Sequence, residues 1–429
     1  MAGYFSKTDF TPSTSNTYTV SFWVKINNFA PTTTNVPYLW SISDSDSSGL
    51  FFQGDTTPHN ITFYRNNGNT RFSPTVYMRD VNAWWHIHLK VSSGTGTLYY
   101  NGESVKTSIT VDAQNYNGGG AEHYIHTYGG GLSSYDNLEC VMSHFHFVDG
   151  TAYDPTAFGE TDSTTGEWKI KTNPSVNYGT NGYFILKDGN TGTDYSGNGN
   201  NFTLTGTCTK TEDCPSNVFA TYNPLSNTGV TLTQGNLTGT YSTNDANIRS
   251  TLGVSTGKWY WETKFTTGTG AVVGICNEDV TQATNRAGST GFYGVQNAST
   301  TYAYYRQNGS SGQTSGYPNP VQGNIVNVAL DLDNSKMYIG INGVYKNQAG
   351  TTSDIANGTN PFFSGIASSV WFPILEYRGG GTTTDSNFGN GYFGTTAVSS
   401  AGTNASGIGI FEYDVPAGYT ALSTKGLNE

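Results

Sequence analysis

Thr17-Tyr-Thr-Val-Ser-Phe-Trp-Val-Lys-Ile26 alternates large apolar residues with smaller or polar ones. A period of two puts every second side chain on the same face of an extended chain, so the stretch reads as a β-strand. The pattern returns in Asn60-Ile-Thr-Phe-Tyr64, in Trp84-Trp-His-Ile-His-Leu-Lys-Val91 and in Thr97-Leu-Tyr-Tyr100. That last run ends in Asn101-Gly102, a hairpin signal because both residues tolerate positive φ. Later runs behave alike: Lys258-Trp-Tyr-Trp-Glu-Thr-Lys-Phe265, Ala271-Val-Val-Gly-Ile275, Ile325-Val-Asn-Val-Ala-Leu-Asp-Leu332, and Lys336-Met-Tyr-Ile-Gly-Ile341 turning at Asn342-Gly343. Helical periodicity is almost absent. Short strands rich in aromatic and β-branched residues, separated by Gly/Asn/Ser/Thr clusters, predict an all-β fold of two tandem β-sandwiches.

Composition agrees with a folded chain and excludes several functions. Charged residues are 12% of 429, about half the usual ~25%. Aromatics are 14%, led by 29 Tyr. A disordered chain shows the reverse balance. The 54 Gly and 14 Pro stay well under the ~25–30% that marks low complexity. Twenty Lys+Arg against 31 Asp+Glu, with no basic cluster, argue against nucleic-acid binding. No apolar run approaches the ~18–20 residues of a membrane span, so no membrane insertion is expected. Residues 1–24 lack a basic region followed by an apolar stretch, so no signal peptide is expected. Release by lysis of an infected cell would need none.

Composition shifts between about 205 and 235. Residues 187–217 are rich in Gly, Asn, Thr and Asp, and all seven His lie before residue 147. The expected division is a first sandwich over 1–210, a linker over 211–235, and a second sandwich with a C-terminal extension over 236–429. Cys140 and Cys276 lie in apolar strand patterns and are expected as buried free thiols. Cys208 and Cys214 flank Thr-Lys-Thr-Glu-Asp. They form either a small closed loop or two thiols, depending on compartment.

Val20-Ser-Phe-Trp-Val-Lys25, Trp84-Trp85-His86 and Leu98-Tyr-Tyr-Asn-Gly102 resemble strands of the concanavalin-like, laminin-G-like jelly roll. Asp194-Tyr-Ser-Gly-Asn-Gly-Asn200 resembles an element that such domains carry near their start. Its late position here implies a permuted order, with 178–207 pairing back against the beginning of the chain. The second half resembles a SPRY (B30.2-like) sandwich. Its carriers are Gly257-Lys-Trp-Tyr-Trp-Glu262, Val273-Gly-Ile275, Gly323-Asn-Ile-Val-Asn-Val-Ala-Leu-Asp-Leu332, Met337-Tyr-Ile-Gly-Ile-Asn-Gly343, Trp371-Phe-Pro373 and Asn387-Phe388-Gly389. All six stand in the family's order, although Asn324 replaces the usual Asp and Asn327 the usual Gly.

The chain as a whole resembles large structural proteins of tailed phages from aquatic bacteria. Phe145-His-Phe-Val-Asp-Gly150, Asp154-Pro-Thr-Ala-Phe-Gly-Glu-Thr-Asp162, Thr165-Gly-Glu-Trp-Lys169, Tyr178-Gly-Thr-Asn-Gly-Tyr-Phe184 and Pro416-Ala-Gly-Tyr-Thr-Ala-Leu422 carry that likeness. It implies a virion component: a tail fibre, a head fibre or a capsid decoration.

Four chemistries are weighed on the residues. A glycosidase needs two carboxylates across the scissile bond. Glu160-Thr-Asp162 is the nearest match, but Glu167 stands too far along and glycines mark turns on both sides. Asp331 and Asp333 share a face beside a turn, so no catalytic residue is assigned. His86/His88 and His144/His146 alternate along strands and offer imidazoles for zinc or nickel, against a packing role. Calcium suits a laminin-G-like domain and wants ~6–8 oxygens, for which Asp44, Asp46, Asp188 and Asp194 are the candidates. Ligand recognition needs aromatics with Asn or Asp. Tyr302, Tyr304, Tyr305, Arg306 and Asn308 fit such a strand, which in SPRY domains lies near the peptide-binding face. Tyr135 and Trp168 are further candidates. The three-glycine runs at 118–120, 129–131 and 379–381 precede no helix and do not form phosphate loops.

The function expected is a non-enzymatic virion protein, exposed on the particle. It would bind host-surface glycan or a neighbouring virion protein, as a homo-oligomer or on a symmetric assembly. The alternative is a secreted or cell-surface bacterial carbohydrate-binding protein. A glycan-cleaving tailspike ranks below both.

Overall fold

The computed structural model describes residues 3–10, 16–27, 37–43, 48–53, 59–65, 69–80, 82–111, 122–128, 138–187, 191–241, 246–280, 289–298, 301–378 and 381–428. The chain divides into two compact units, Met1–Lys210 and Thr211–Glu429. Apart from two short 3-10 turns, the described elements are β-strands.

In the first unit, one sheet runs β15 (Thr203–Thr205), β1 (Tyr4–Lys7), β10 (Glu122–Ile125), β3 (Tyr38–Ser43), β4 (Ser48–Gln53), β5 (Asn60–Arg65), β6 (Thr70–Phe72). The other runs β14 (Tyr183–Ile185), β11 (Cys140–Asp149), β2 (Tyr18–Ile26), β7 (Trp84–Ser92), β8 (Thr95–Tyr100), β9 (Glu103–Thr110). The sheets pack face to face, and alternation decides what lies between them. Tyr18, Val20, Phe22, Val24 and Ile26 of β2 point into one core with Leu39, Trp40, Leu50, Phe52, Ile87, Leu89 and Phe145. β15 pairs with β1, placing Leu204 opposite Phe5, so 203–205 do return to the chain start. The Asn101-Gly102 turn has φ of 47° and 82°, and Asn342-Gly343 has 49° and 79°, as a two-residue hairpin demands.

All nine residues of β2 are buried, including those facing away from the core. The cause is a cap, residues 151–177, laid over that outer face. It carries a small hairpin of β12 (Gly159–Thr161) and β13 (Trp168–Ile170). Phe158 packs there with Val148, Tyr178 and Phe184.

In the second unit, one sheet runs β16 (Tyr222–Thr228), β19 (Ala246–Ser250), β29 (Trp371–Tyr377), β21 (Ala271–Asn277), β22 (Phe292–Gln296), β23 (Tyr302–Gln307), β24 (Ser310–Pro318). The facing sheet runs β17 (Thr231–Thr233), β18 (Thr238–Tyr241), β30 (Thr382–Asn387), β20 (Lys258–Thr267), β25 (Ile325–Asp331), β26 (Lys336–Ile341), β27 (Val344–Tyr345). β28 (Phe363–Ser364) adds to β26 and β33 (Thr420–Ala421) to β20, while β31 (Tyr392–Phe393) and β32 (Thr396–Ala397) form a hairpin. Trp259, Trp261, Phe265, Val328, Leu330 and Leu375 meet in its core. Here too one outer face is covered by later chain. Phe411, Val415 and Tyr419 pack on Tyr260, Ala329 and Tyr338.

Two expectations need correction. The stretch 211–235 is no linker. It contributes β16 and β17 to both sheets of the second unit, and Phe219 bridges Ser423. Its Asn and Thr residues read as loop because β16 and β17 lie on sheet edges with few core contacts. Cys276 is buried, but Cys140 is only half-buried, because β11 begins at it. Cys208 and Cys214 are free thiols, one in each unit.

Candidate functional site

Four neighbouring strand ends of the second unit meet at one edge of its sandwich. Asn277 closes β21 opposite Trp371, which opens β29. Phe292 opens β22 opposite Cys276, and Gln307 closes β23 opposite Tyr293. Between them lies a cavity of about 390 Å3, whose lining includes Asn277, Asp279, Thr290, Tyr293, Asn308 and Trp371.

The walls are fixed by the backbone. Asn277 N–H donates to Gly291 O at 2.9 Å, and Gly291 N–H donates to Asn308 Oδ1 at 2.9 Å. Asn308 sits at φ 46°, a left-handed position that Asn tolerates. Gly291 also has positive φ, 79°, and a Cβ there would stand 2.3 Å from Asn277 Oδ1, so only glycine fits. Trp371 donates from Nε1 to Ala367 O at 2.9 Å and packs edge-on against Tyr293, 5.4 Å away. Asn277 Oδ1 is buried without a hydrogen-bond partner among the described residues. Two carboxamides, one carboxylate and several hydroxyls therefore surround an aromatic floor, and no Lys or Arg is among the described lining residues. That arrangement suits a neutral polar group, held by hydrogen bonds in a concave site.

Of the residues expected from sequence, Asn308 lines this cavity. Tyr302, Tyr304, Tyr305 and Arg306 lie on β23, just before Asn308, but outside the lining. Tyr305 packs on the core, and Arg306 donates from Nη2 to Gln296 Oε1 at 2.9 Å. Burial lowers the Arg306 pKa, with Arg378 adding to that. Tyr302 is exposed on the flank. Tyr135 lies outside the described residues. Trp168 is no open platform: it donates from Nε1 to His86 Nδ1 at 3.0 Å and packs over Gly102 and Gly159. Asn277, Asp279, Tyr293 and Trp371 were missed. Their signal was positional, since Val273-Gly-Ile275 and Trp371-Phe-Pro373 point strand ends at one edge.

The metal candidates fare differently. Asp44, Asp46 and Asp188 lie outside the described residues. Asp194 is not a cation ligand, because its oxygens are already taken. Oδ1 accepts from Phe184 N and Ser196 N at 2.8 Å each; Oδ2 accepts from Ser196 Oγ and Asn200 N at 2.8 Å each. The Asp-x-Ser-Gly-Asn-Gly-Asn element is thus a knot that ties 194–201 to 179–184, with Asn198 and Asn200 donating to the carbonyls of Gly179, Thr180 and Gly182. The histidine pairs do lie on one sheet face, where each ring is held by at least one hydrogen bond within the protein. Among the described residues no three metal-binding side chains converge.

The carboxylates weighed for catalysis are held by cations or turns. Asp162 accepts from Lys169 Nζ at 3.0 Å and from Thr164 N and Thr165 N, which hold it well below the usual carboxylate range. Glu160 lies 3.9 Å from Lys169 and 3.8 Å from Lys171. Asp331 pairs with Lys258 at 3.3 Å and Asp333 accepts from Gly257 N at 2.7 Å.

Residues 2–137 match the model of the concanavalin A-like lectin/glucanases superfamily, of laminin-G type, and residues 258–373 match the SPRY domain. The chain carries a concanavalin A-like domain followed by a SPRY domain. Solved structures similar to it include the PSpry domain of TRIM65, at 14% identity and TM-score 0.31, covering 39% of this chain and 91% of that one. The SPRY domain of human HERC1 is also similar, at 15% identity and TM-score 0.30, covering 38% of this chain and 96% of that one. No curated protein matches the chain. The strand-end cavity lies within the span matched to the SPRY domain.

Proposed function

We propose that the chain is a non-enzymatic adhesion or structural protein carried on the outside of a tailed-phage particle, with the SPRY domain as its recognition module. The observation that carries this reading is the cavity walled by Asn277, Asp279 and Asn308 over Tyr293 and Trp371. Its polar groups match the hydroxyls of a neutral host-surface glycan or the amides of a neighbouring virion protein. Anionic glycans fit poorly, because Asp279 would repel them. The low charge and the Gly/Ser/Thr/Asn/Tyr-rich composition suit adaptable polar contacts. The carboxylates that a glycosidase would need are tied to lysines and turns, which favours binding over cleavage.

A glycan array with the purified chain, with and without EDTA, tests this reading alongside co-sedimentation with purified phage particles. Saturable binding in either assay, lost in Asn308→Ala, supports it. Failure to bind both neutral glycans and particles would end it. Loss in EDTA would add a calcium site beyond Asp194.

A further inference from the structure

We propose that acid releases the cap, residues 151–177, from the outer face of the first unit's six-stranded sheet. The interface between cap and sheet is built on imidazoles. His86 and His88 project from β7 and His146 from β11, all buried. Trp168 of the cap stacks on His86, while Phe158 lies against His88 and His146 at 5.6 and 5.0 Å. His146 Nδ1 bonds Tyr178 Oη at 2.8 Å, at the cap's exit. Gly150 and Gly179, both at positive φ, bound the cap. Asp149 N–H bonds Tyr178 O across its base.

Hydrogen-bond chemistry shows what an added proton would do. An indole N–H only donates, so the 3.0 Å contact from Trp168 Nε1 makes His86 Nδ1 a lone-pair acceptor. His86 Nε2 then carries the proton and donates to Ser21 Oγ at 2.8 Å. A second proton on Nδ1 would set two donors against each other. Tyr153 O only accepts, so His88 Nε2 carries its proton at 3.0 Å. His88 Nδ1 is buried with no partner among the described residues, and a proton there would meet no acceptor. Burial correspondingly lowers both groups, His88 to about 4 and His86 well below its ordinary value.

The charged neighbours do not compensate. Asp154 favours charged His88, but it pairs with Lys90 at 2.7 Å, and Lys90 opposes it. His144 and Lys187 disfavour charge on His146. Lys25, on the same face of β2, lies over the Trp84 ring. Asp149 and Asp194 are occupied by Asn181 and the 194–201 knot. Glu160, Asp162, Lys169 and Lys171 pair among themselves on the hairpin. Burial raises Tyr178, the partner of His146, above its ordinary value, while Tyr99 stands edge-on to His88 and Tyr153 meets it through its backbone carbonyl.

An imidazole that takes a proton only when the cap is open multiplies the open-to-closed ratio at pH 5 by about thirtyfold, or about a thousandfold for two. Hydrogen exchange on the full chain, corrected for intrinsic rates, reads this directly. Protection over 151–177 should fall by about a thousandfold between pH 7.5 and 5, while β4 and β5 on the opposite sheet keep theirs. In the His86→Gln/His88→Gln double variant the pH dependence should shrink to about thirtyfold or less, the share that His146 alone can supply. Cap protection unchanged at pH 5 would overturn the proposal. So would simultaneous loss in β4 and β5, or a full fall in the double variant. Should that variant fail to fold, imidazole NMR on the native chain decides. Ring titration in step with cap exchange supports the release; titration near 6.5 under a protected cap refutes it.

Discussion

Replacing Glu262 by Ala tests what holds the C-terminal segment on the SPRY domain. Glu262 lies on β20, wholly buried, facing away from the core. Its carboxylate accepts from Glu412 N and Tyr413 N at 2.9 Å each, from Tyr260 Oη at 2.8 Å, and from Asn327 Nδ2 at 3.3 Å. Without it, Asn327 keeps Tyr260 Oη at 3.0 Å and Gly343 N at 2.8 Å. The backbone N–H groups of Glu412 and Tyr413 lose their acceptor. Each hydrogen bond lost from a charged acceptor costs about 1.5–3 kcal/mol, and less where water reaches these half-buried donors, so Glu262→Ala should cost about 2–6 kcal/mol. For a domain of this size that is about 12 °C at mid-range. The assay is thermal unfolding with hydrogen exchange resolved to 398–422. A midpoint within about 2 °C of the native chain, with unchanged exchange at Glu412 and Tyr413, would refute the reasoning. It would mean that Phe411 and Tyr419 hold the segment by packing alone.

Gly291→Ala should abolish ligand binding at the strand-end cavity, because its Cβ would meet Asn277 Oδ1 at 2.3 Å, and should cost about 1–3 kcal/mol of stability; binding and melting measured together check both. Asp194→Ala should destabilise the first unit by about 2–4 kcal/mol through the loss of four accepted hydrogen bonds. EDTA should not reproduce that shift in a melting experiment. Trp168→Phe removes the donor to His86 and part of the indole that packs over Gly102 and Gly159, so exchange over 151–177 at neutral pH should rise by at least about 2- to 12-fold, the hydrogen bond's share of ~0.5–1.5 kcal/mol. Ligand binding by the SPRY domain should be untouched.

Much of the fold was legible because strands write their period locally. The alternation in 17–26 delivered Tyr18, Val20, Phe22, Val24 and Ile26 to the core, and both Asn-Gly turns took the expected left-handed pairs. What alternation cannot report is whether the other face is wet. Thr19, Ser21, His86 and His88 read as a polar outer face, yet they are buried under a segment that begins 59 residues after the end of β7. The same long-range step hid Glu262, whose partners lie at 412–413. The site was legible only in part for a related reason. The run of tyrosines at 302–305 drew attention by composition, but the cavity depends on where strands end. None of those tyrosines reached the lining; of the residues expected there only Asn308, in the turn after the strand, did.

The two domains cover one sheet face each with later chain, but with groups of opposite titration. In the concanavalin A-like domain, His88 is depressed to about 4. The unfolded or open form binds more protons below its ordinary 6.5, so stability is lost as pH falls from there toward 4. In the SPRY domain, burial raises Glu262 from 4.5 to about 7. The native form then holds a proton that the unfolded chain has released, so stability falls as pH rises from 4.5 to 7, by about 3 kcal/mol over the window. No histidine lies beyond residue 146, so a slope between pH 5 and 7 in the SPRY domain belongs to Glu262 and should vanish in Glu262→Ala. Exchange at pH 5 and pH 8 should therefore invert the order of opening. The cap at 151–177 goes first in acid, and the segment at 398–422 loosens relative to it in base. A common slope in both domains would show that neither buried group governs its cover.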